Sequence, residues 1–124
     1  MIYTIIMNNR SYELPKKTVD VMEALDGAIT IDNNRNMSLR EKYACLHEFV
    51  KRMLGDVKAK ECLGSESLDD LDLSELAIVV QKIHDAYEKP INDYHMSKMR
   101  DKISGIPMDK IASMMSMAEN VKND

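Results

Sequence analysis

The sequence predicts an α+β domain, an N-terminal β-hairpin packed on a mostly α-helical body. Two observations carry that prediction. Residues 2–7, IYTIIM, and 11–14, SYEL, are β-branched and aromatic stretches on either side of an Asn-rich turn. After Pro15 the apolar period changes from two to about 3.6, most clearly in residues 71–94, LDLSELAIVVQKIHDAYEKPINDY. There Leu73, Leu76, Val80, Ile83 and Tyr87 fall at steps of three and four, and Ile91 and Tyr94 extend the stripe.

In the hairpin, residues 8–10 (Asn8, Asn9 and Arg10) form the expected turn, since Asn tolerates positive φ. Pro15 ends the second strand because it has no N–H for a ladder. A lone hairpin is marginal in water, so residues 2–14 must pack on the helices or pair with another copy. The helical body is expected over residues 16–103. Its first helix, residues 16–32, sets Thr18, Met22, Leu25 and Ile29 at helical spacing, with Val21 and Ala28 beside them. A polar turn follows at residues 32–36. Ser38 and Glu41 then make a Ser-x-x-Glu capping box for a second helix. Leu39, Tyr43, Leu46, Val50 and Met53 are expected on its inner face, with Phe49 and Leu54 alongside, and Gly55 ends it. A short helix over residues 56–63 closes at Gly64.

Residues 65–75, SESLDDLDLSE, are acidic, but Asp69, Asp70 and Asp72 lack the central Gly and terminal Glu of a calcium loop. They are expected to be a turn-forming linker in which Asp72, three residues before Glu75, caps the next helix. That helix is central to the fold. Ala77, Val79 and Ala86 widen its apolar face, and Leu76, Val80 and Ile83 are expected in the core. Its polar side, Gln81, Lys82, Asp85, Glu88 and Lys89, is expected to be solvated. Pro90 interrupts it, so the helix either bends there or gives way to a new one. Ser104, Gly105, Ile106 and Pro107 form a break, and Pro107 suits the first position of a C-terminal helix over 107–120. Residues 121–124 are expected to fray.

The length of 124 residues allows a single domain, 1–124, with a modest core. Aromatics are 5% of residues and Met numbers 11, so that core is aliphatic and adaptable in shape. A net charge of −4 argues against a nucleic-acid partner, because phosphate binding needs clustered Lys and Arg. A helix-turn-helix regulator conflicts with the same balance and with the lack of a basic recognition helix. MIYTIIMNNR has no basic leader and too short an apolar run for export or membrane insertion. Cys45 and Cys62 are therefore expected to be reduced in the cytosol, as small buried apolar residues.

The sequence carries no catalytic motif. His47, His84 and His95 complete no metal-ligand set with the two cysteines, and the four glycines are isolated. No catalytic, metal or cofactor-binding residue is expected. The methionines are more informative: Met96, Met99, Met108, Met114, Met115 and Met117 crowd the last third of the chain. Core packing accounts for some of them, but Met114, Met115 and Met117 cannot all face one way on a helix. Met108, Met114, Met115 and Met117 are therefore the candidate partner-binding residues, on the model of pliable Met surfaces that accept a partner helix.

Three segments also carry a resemblance. MIYTIIMNNRSYELPKKTVDVMEALD, LREKYACLHEFVKRMLGDVKAKECLG and DLSELAIVVQKIHDAYEKPINDY together resemble small tail assembly chaperones of long-tailed bacteriophages and prophages of Gram-positive hosts. The shared features are the NNRSYELPKK junction, the Leu54-Gly55 and Leu63-Gly64 helix ends, and DAYEKPI; the similarity weakens after residue 94. It implies a non-enzymatic factor of tail morphogenesis, acting in the host bacterial cytoplasm and absent from the mature virion. Such a factor binds and solubilises the helical tape measure protein. The resemblance further implies a longer, frameshifted form that reaches the tail tube protein. A homo-oligomer is the other partner considered. The rival reading is a small prophage-encoded structural or regulatory adaptor without enzymatic activity.

Overall fold

Strands β1 (Tyr3–Met7) and β2 (Arg10–Leu14) form a two-stranded antiparallel sheet, with Tyr3 opposite Leu14 and Met7 opposite Arg10. The structure, a computed structural model, describes residues 1–104. The hairpin turn is two residues long: Asn8 and Asn9 sit at φ 54° and 63°, in the left-handed region that such a turn requires. Arg10 thus belongs to the strand and not to the turn, because Asn8 and Asn9 complete the reversal alone. Side chains alternate as the pleat dictates. Ile5, Tyr12 and Leu14 are buried, whereas Thr4, Ile6, Ser11 and Glu13 face solvent.

Helix α1 spans Val19–Ile29 and starts later than the expected residue 16. Thr18 is not part of the inner stripe but the N-cap: its hydroxyl accepts from the Val21 amide at 3.3 Å. The buried face is accordingly Val21, Leu25 and Ala28, and Ile29 is exposed. A single 3₁₀ turn, Ile31–Asn33, follows. Helix α2 (Leu39–Leu54) begins at the expected cap, Ser38, whose hydroxyl accepts from the Glu41 amide at 3.1 Å and contacts the Glu41 carboxylate at 3.2 Å. Leu46, Phe49, Val50, Met53 and Leu54 are buried, as is His47. Leu39 is a correction, since it is exposed in the first turn. So is Cys45, whose thiol is exposed; Cys62 is buried as expected. Gly55 separates α2 from α3 (Asp56–Leu63), and Gly64 in the left-handed region ends α3.

The acidic linker contains a 3₁₀ turn, Leu68–Asp70, and delivers Asp72 as the cap of helix α4 (Leu73–Ser104). One Asp72 oxygen accepts from the amides of Ser74 at 2.8 Å and Glu75 at 3.1 Å. Leu76, Val79, Val80, Ile83 and Tyr87 are buried among α1–α3 and the hairpin, each side chain contributing roughly 1.5–3 kcal/mol by its removal from water. Several expectations for this helix need correction. Ala77 is exposed, and Ile91 and Tyr94, expected to extend the stripe, are exposed as well. Lys82 is not simply solvated, because its ammonium donates to the Ile6 carbonyl at 2.6 Å. Pro90 neither ends the helix nor starts another; it lies inside α4. In the turn before Pro90 the Lys17 ammonium donates to the Tyr87 carbonyl at 3.0 Å.

The chain divides into two compact units. Met1–Glu88 holds the hairpin, α1–α3, the first half of α4 and the buried core. Lys89–Asp124 is the second, and its described part carries a Lys89–Asp93 ion pair at 2.6 Å and the Lys98 ammonium 5.2 Å from the Tyr94 ring centre. The expected helix over 107–120, the tail 121–124 and the candidate residues Met108, Met114, Met115 and Met117 lie outside the described residues.

Candidate functional site

Helix α2 carries two apolar grooves. Phe49 and Cys45 point about 120° away from Leu39 and Tyr43 around a helix of 3.6 residues per turn, so the two groups serve different sides. On one side the packing of α1 against α2 leaves a concave surface of about 660 Å³, open to solvent. Its floor is Ala24, Ala28, Ile31 and Phe49, and its rim includes Glu48, Arg52 and the exposed Cys45 thiol. Small residues on α1 make the depression: a Cβ built at Gly27 would meet nothing within 4 Å. On the other side Leu39, Tyr43, Leu68, Leu71 and Leu73 line a second groove of about 420 Å³. An Arg40–Asp69 ion pair at 2.8 Å edges it.

The sequence missed both surfaces because it took one residue of each as buried. Helical spacing put Leu39 inside, and a reduced thiol was expected to be a small buried apolar residue at Cys45, whereas the second groove forms where the 3₁₀ turn Leu68–Asp70 comes up beside Leu39. A Leu at the first turn of α2 with no apolar partner four residues before it was the available signal.

Several titratable groups of this unit are shifted by their surroundings. Burial pushes the His47 imidazole below its ordinary pKa, with the Lys51 ammonium adding to the effect. Burial likewise raises the Cys62 thiol, so that this cysteine is held protonated. Arg10 forms an ion pair with Glu61 and, through that hydrogen bond, holds the Glu61 carboxyl below its usual range; Tyr12 donates to the same carboxylate at 3.3 Å. His84 lies with Gln81, Asp85 and Glu88 on the outer side of α4, at 3.4 Å from Asp85 and 3.9 Å from Glu88. Among the described residues no three His, Cys, Asp or Glu side chains come together as a metal site. No helix of the described residues is long and apolar enough to cross a membrane.

Fold and surface together define an α+β domain with two apolar grooves that flank a single helix. No family model matches the chain, and neither a curated protein nor a solved structure matches it.

Proposed function

We propose that this chain is a client-binding protein, a bacteriophage tail assembly chaperone that binds and solubilises the helical tape measure protein during tail morphogenesis. The observation that carries the reading is the pair of open apolar grooves on either side of α2. An amphipathic client helix buries apolar side chains in such grooves, and several weak contacts along a long client add up through effective concentration. The net charge of −4 keeps the loaded complex soluble. The resemblance of the hairpin-to-helix junction and of DAYEKPI supplies the client's identity. The chaperone acts without enzymatic activity, in the host cytoplasm, and leaves before the virion is complete. Met108, Met114, Met115 and Met117 add a second, Met-rich client surface, and a frameshifted longer form recruits the tail tube protein.

Co-expression with a bacteriophage tape measure protein tests the proposal. The wild-type chain is expected to keep that protein soluble and to co-purify with it. Leu39→Gln and Cys45→Arg, both at exposed groove positions, should leave circular dichroism unchanged. Each should weaken capture by about 1 kcal/mol or more. Replacing the four methionines with Gln tests the second surface in the same assay. A wild-type chain that leaves the tape measure protein aggregated would overturn the reading in favour of the adaptor without a client.

A further inference from the structure

The two edges of the hairpin are treated differently by the rest of the molecule. In a two-residue hairpin the residues flanking the turn exchange both backbone hydrogen bonds, and bonded and non-bonded pairs then alternate. Met7–Arg10, Ile5–Tyr12 and Tyr3–Leu14 are therefore the bonded pairs. The backbone groups of Thr4 and Ile6 point away from β2, and those of Ser11 and Glu13 point away from β1. On the β1 side Lys82 of α4 takes the Ile6 carbonyl at 2.6 Å, which places a charge on that edge. Charged side chains of this kind are how sheets block strand addition. On the β2 side, among the described residues, no hydrogen bond to another element engages the backbone of Ser11 or Glu13. Both residues are exposed.

We propose that the free edge of β2 pairs with β2 of a second copy of this chain, antiparallel and centred on Tyr12, to make a four-stranded sheet across a two-fold axis. Strand chemistry selects the occupant and the register. Centring on Tyr12 sets Ser11 of each chain opposite Glu13 of the other, so the outward backbone groups meet as two bonded pairs, on the order of four new hydrogen bonds. The same register places each Ser11 hydroxyl, a donor, across from a Glu13 carboxylate on the solvent face. It also pairs all five residues of both strands. Centring on Glu13 would oppose two like charges, and a slip of one residue would set outward groups against inward ones. The contact is isologous and closes as a dimer, without open-ended growth, because the β1 edge carries Lys82. It is independent of the client proposed above.

The experiment compares two proline variants by sedimentation over a range of concentrations. Proline is tolerated at an edge position whose N–H faces outward, so Glu13→Pro and Thr4→Pro each remove one outward donor, from the free and the guarded edge respectively. Wild-type protein is expected to dimerise with rising concentration, and Glu13→Pro to weaken the dimer by on the order of tenfold or more, since both copies lose a bond. Thr4→Pro should dimerise like wild type. Amide exchange on the unsubstituted protein gives an answer that does not depend on any variant folding: Ser11 and Glu13 should gain protection as concentration rises, and Thr4 should not. A wild-type chain that stays monomeric throughout overturns the proposal. So does a dimer that survives Glu13→Pro, or protection that leaves Ser11 and Glu13 unchanged.

Discussion

The Tyr87 hydroxyl donates a 2.7 Å hydrogen bond to the Pro15 carbonyl, joining the middle of α4 to the exit of the hairpin across 72 positions of sequence. The Tyr87 ring also lies 4.9 Å from the Tyr3 ring, centre to centre, at a tilt of 43°. The side chain is fully buried. One residue therefore makes both an apolar contact and a polar closure between the sheet and α4.

Tyr87→Phe keeps the ring and strands the Pro15 carbonyl, so unfolding in urea should show a loss of about 1–3 kcal/mol. The hydroxyl also makes stability depend on alkaline pH. Burial, with Tyr3 a second cause, pushes its pKa up to about 12, against about 10 in an unfolded chain. The native state keeps this proton where the unfolded state loses it. The contribution is thus fully present below pH about 10 and lost as pH rises toward about 12. The variant should lose stability less steeply over that window. Tyr12, also raised by burial, maintains part of the slope in both proteins. Equal alkaline slopes would exclude Tyr87 as the source.

His47 sets the opposite limit. Its pKa is depressed by burial, so the native imidazole stays neutral while the unfolded one takes up a proton below pH about 6.5. Stability from this residue is present above that value and declines as pH falls toward the native pKa. Thermal melts between pH about 7 and about 5 should show the wild-type midpoint dropping faster than that of His47→Gln. Parallel curves would assign the acid sensitivity to other groups.

Two glycines should answer to alanine with opposite signs. Gly55 joins α2 to α3 at φ 84° and ψ 156°, a conformation essentially confined to glycine. A Cβ there meets nothing within 4 Å, so the expected loss for Gly55→Ala, about 1–3 kcal/mol, is backbone strain alone. Gly27 lies inside α1 with equally open space. Gly27→Ala should stabilise by about 0.5–1 kcal/mol through helix propensity and a less free unfolded chain. Denaturant midpoints shifting in the same direction would contradict this account.

Local chemistry determined most of the elements. Asn8 and Asn9 specify the turn because few other residues accept positive φ, and Ser38 and Asp72 specify helix starts because their side chains satisfy amides that the helix cannot. The buried ladder of Leu76, Val80, Ile83 and Tyr87 follows from helical period alone. What the sequence could not give was decided by partners far away in the chain. Thr18 continues an apolar spacing yet caps α1, since the choice between cap and stripe depends on where the hairpin releases the chain. Leu39 is apolar and in phase, but no element among the described residues covers it, and it borders a groove. Lys82 has the look of a solvent residue until β1 arrives beside it and its ammonium finds the Ile6 carbonyl. Pro90 forbids one hydrogen bond but does not say whether the helix stops, because the cost of one lost bond is small beside the packing of the turns before it. Period and capping are properties of neighbours in sequence. Coverage is a property of neighbours in space, and only the assembled hairpin, α1–α3 and α4 could assign it.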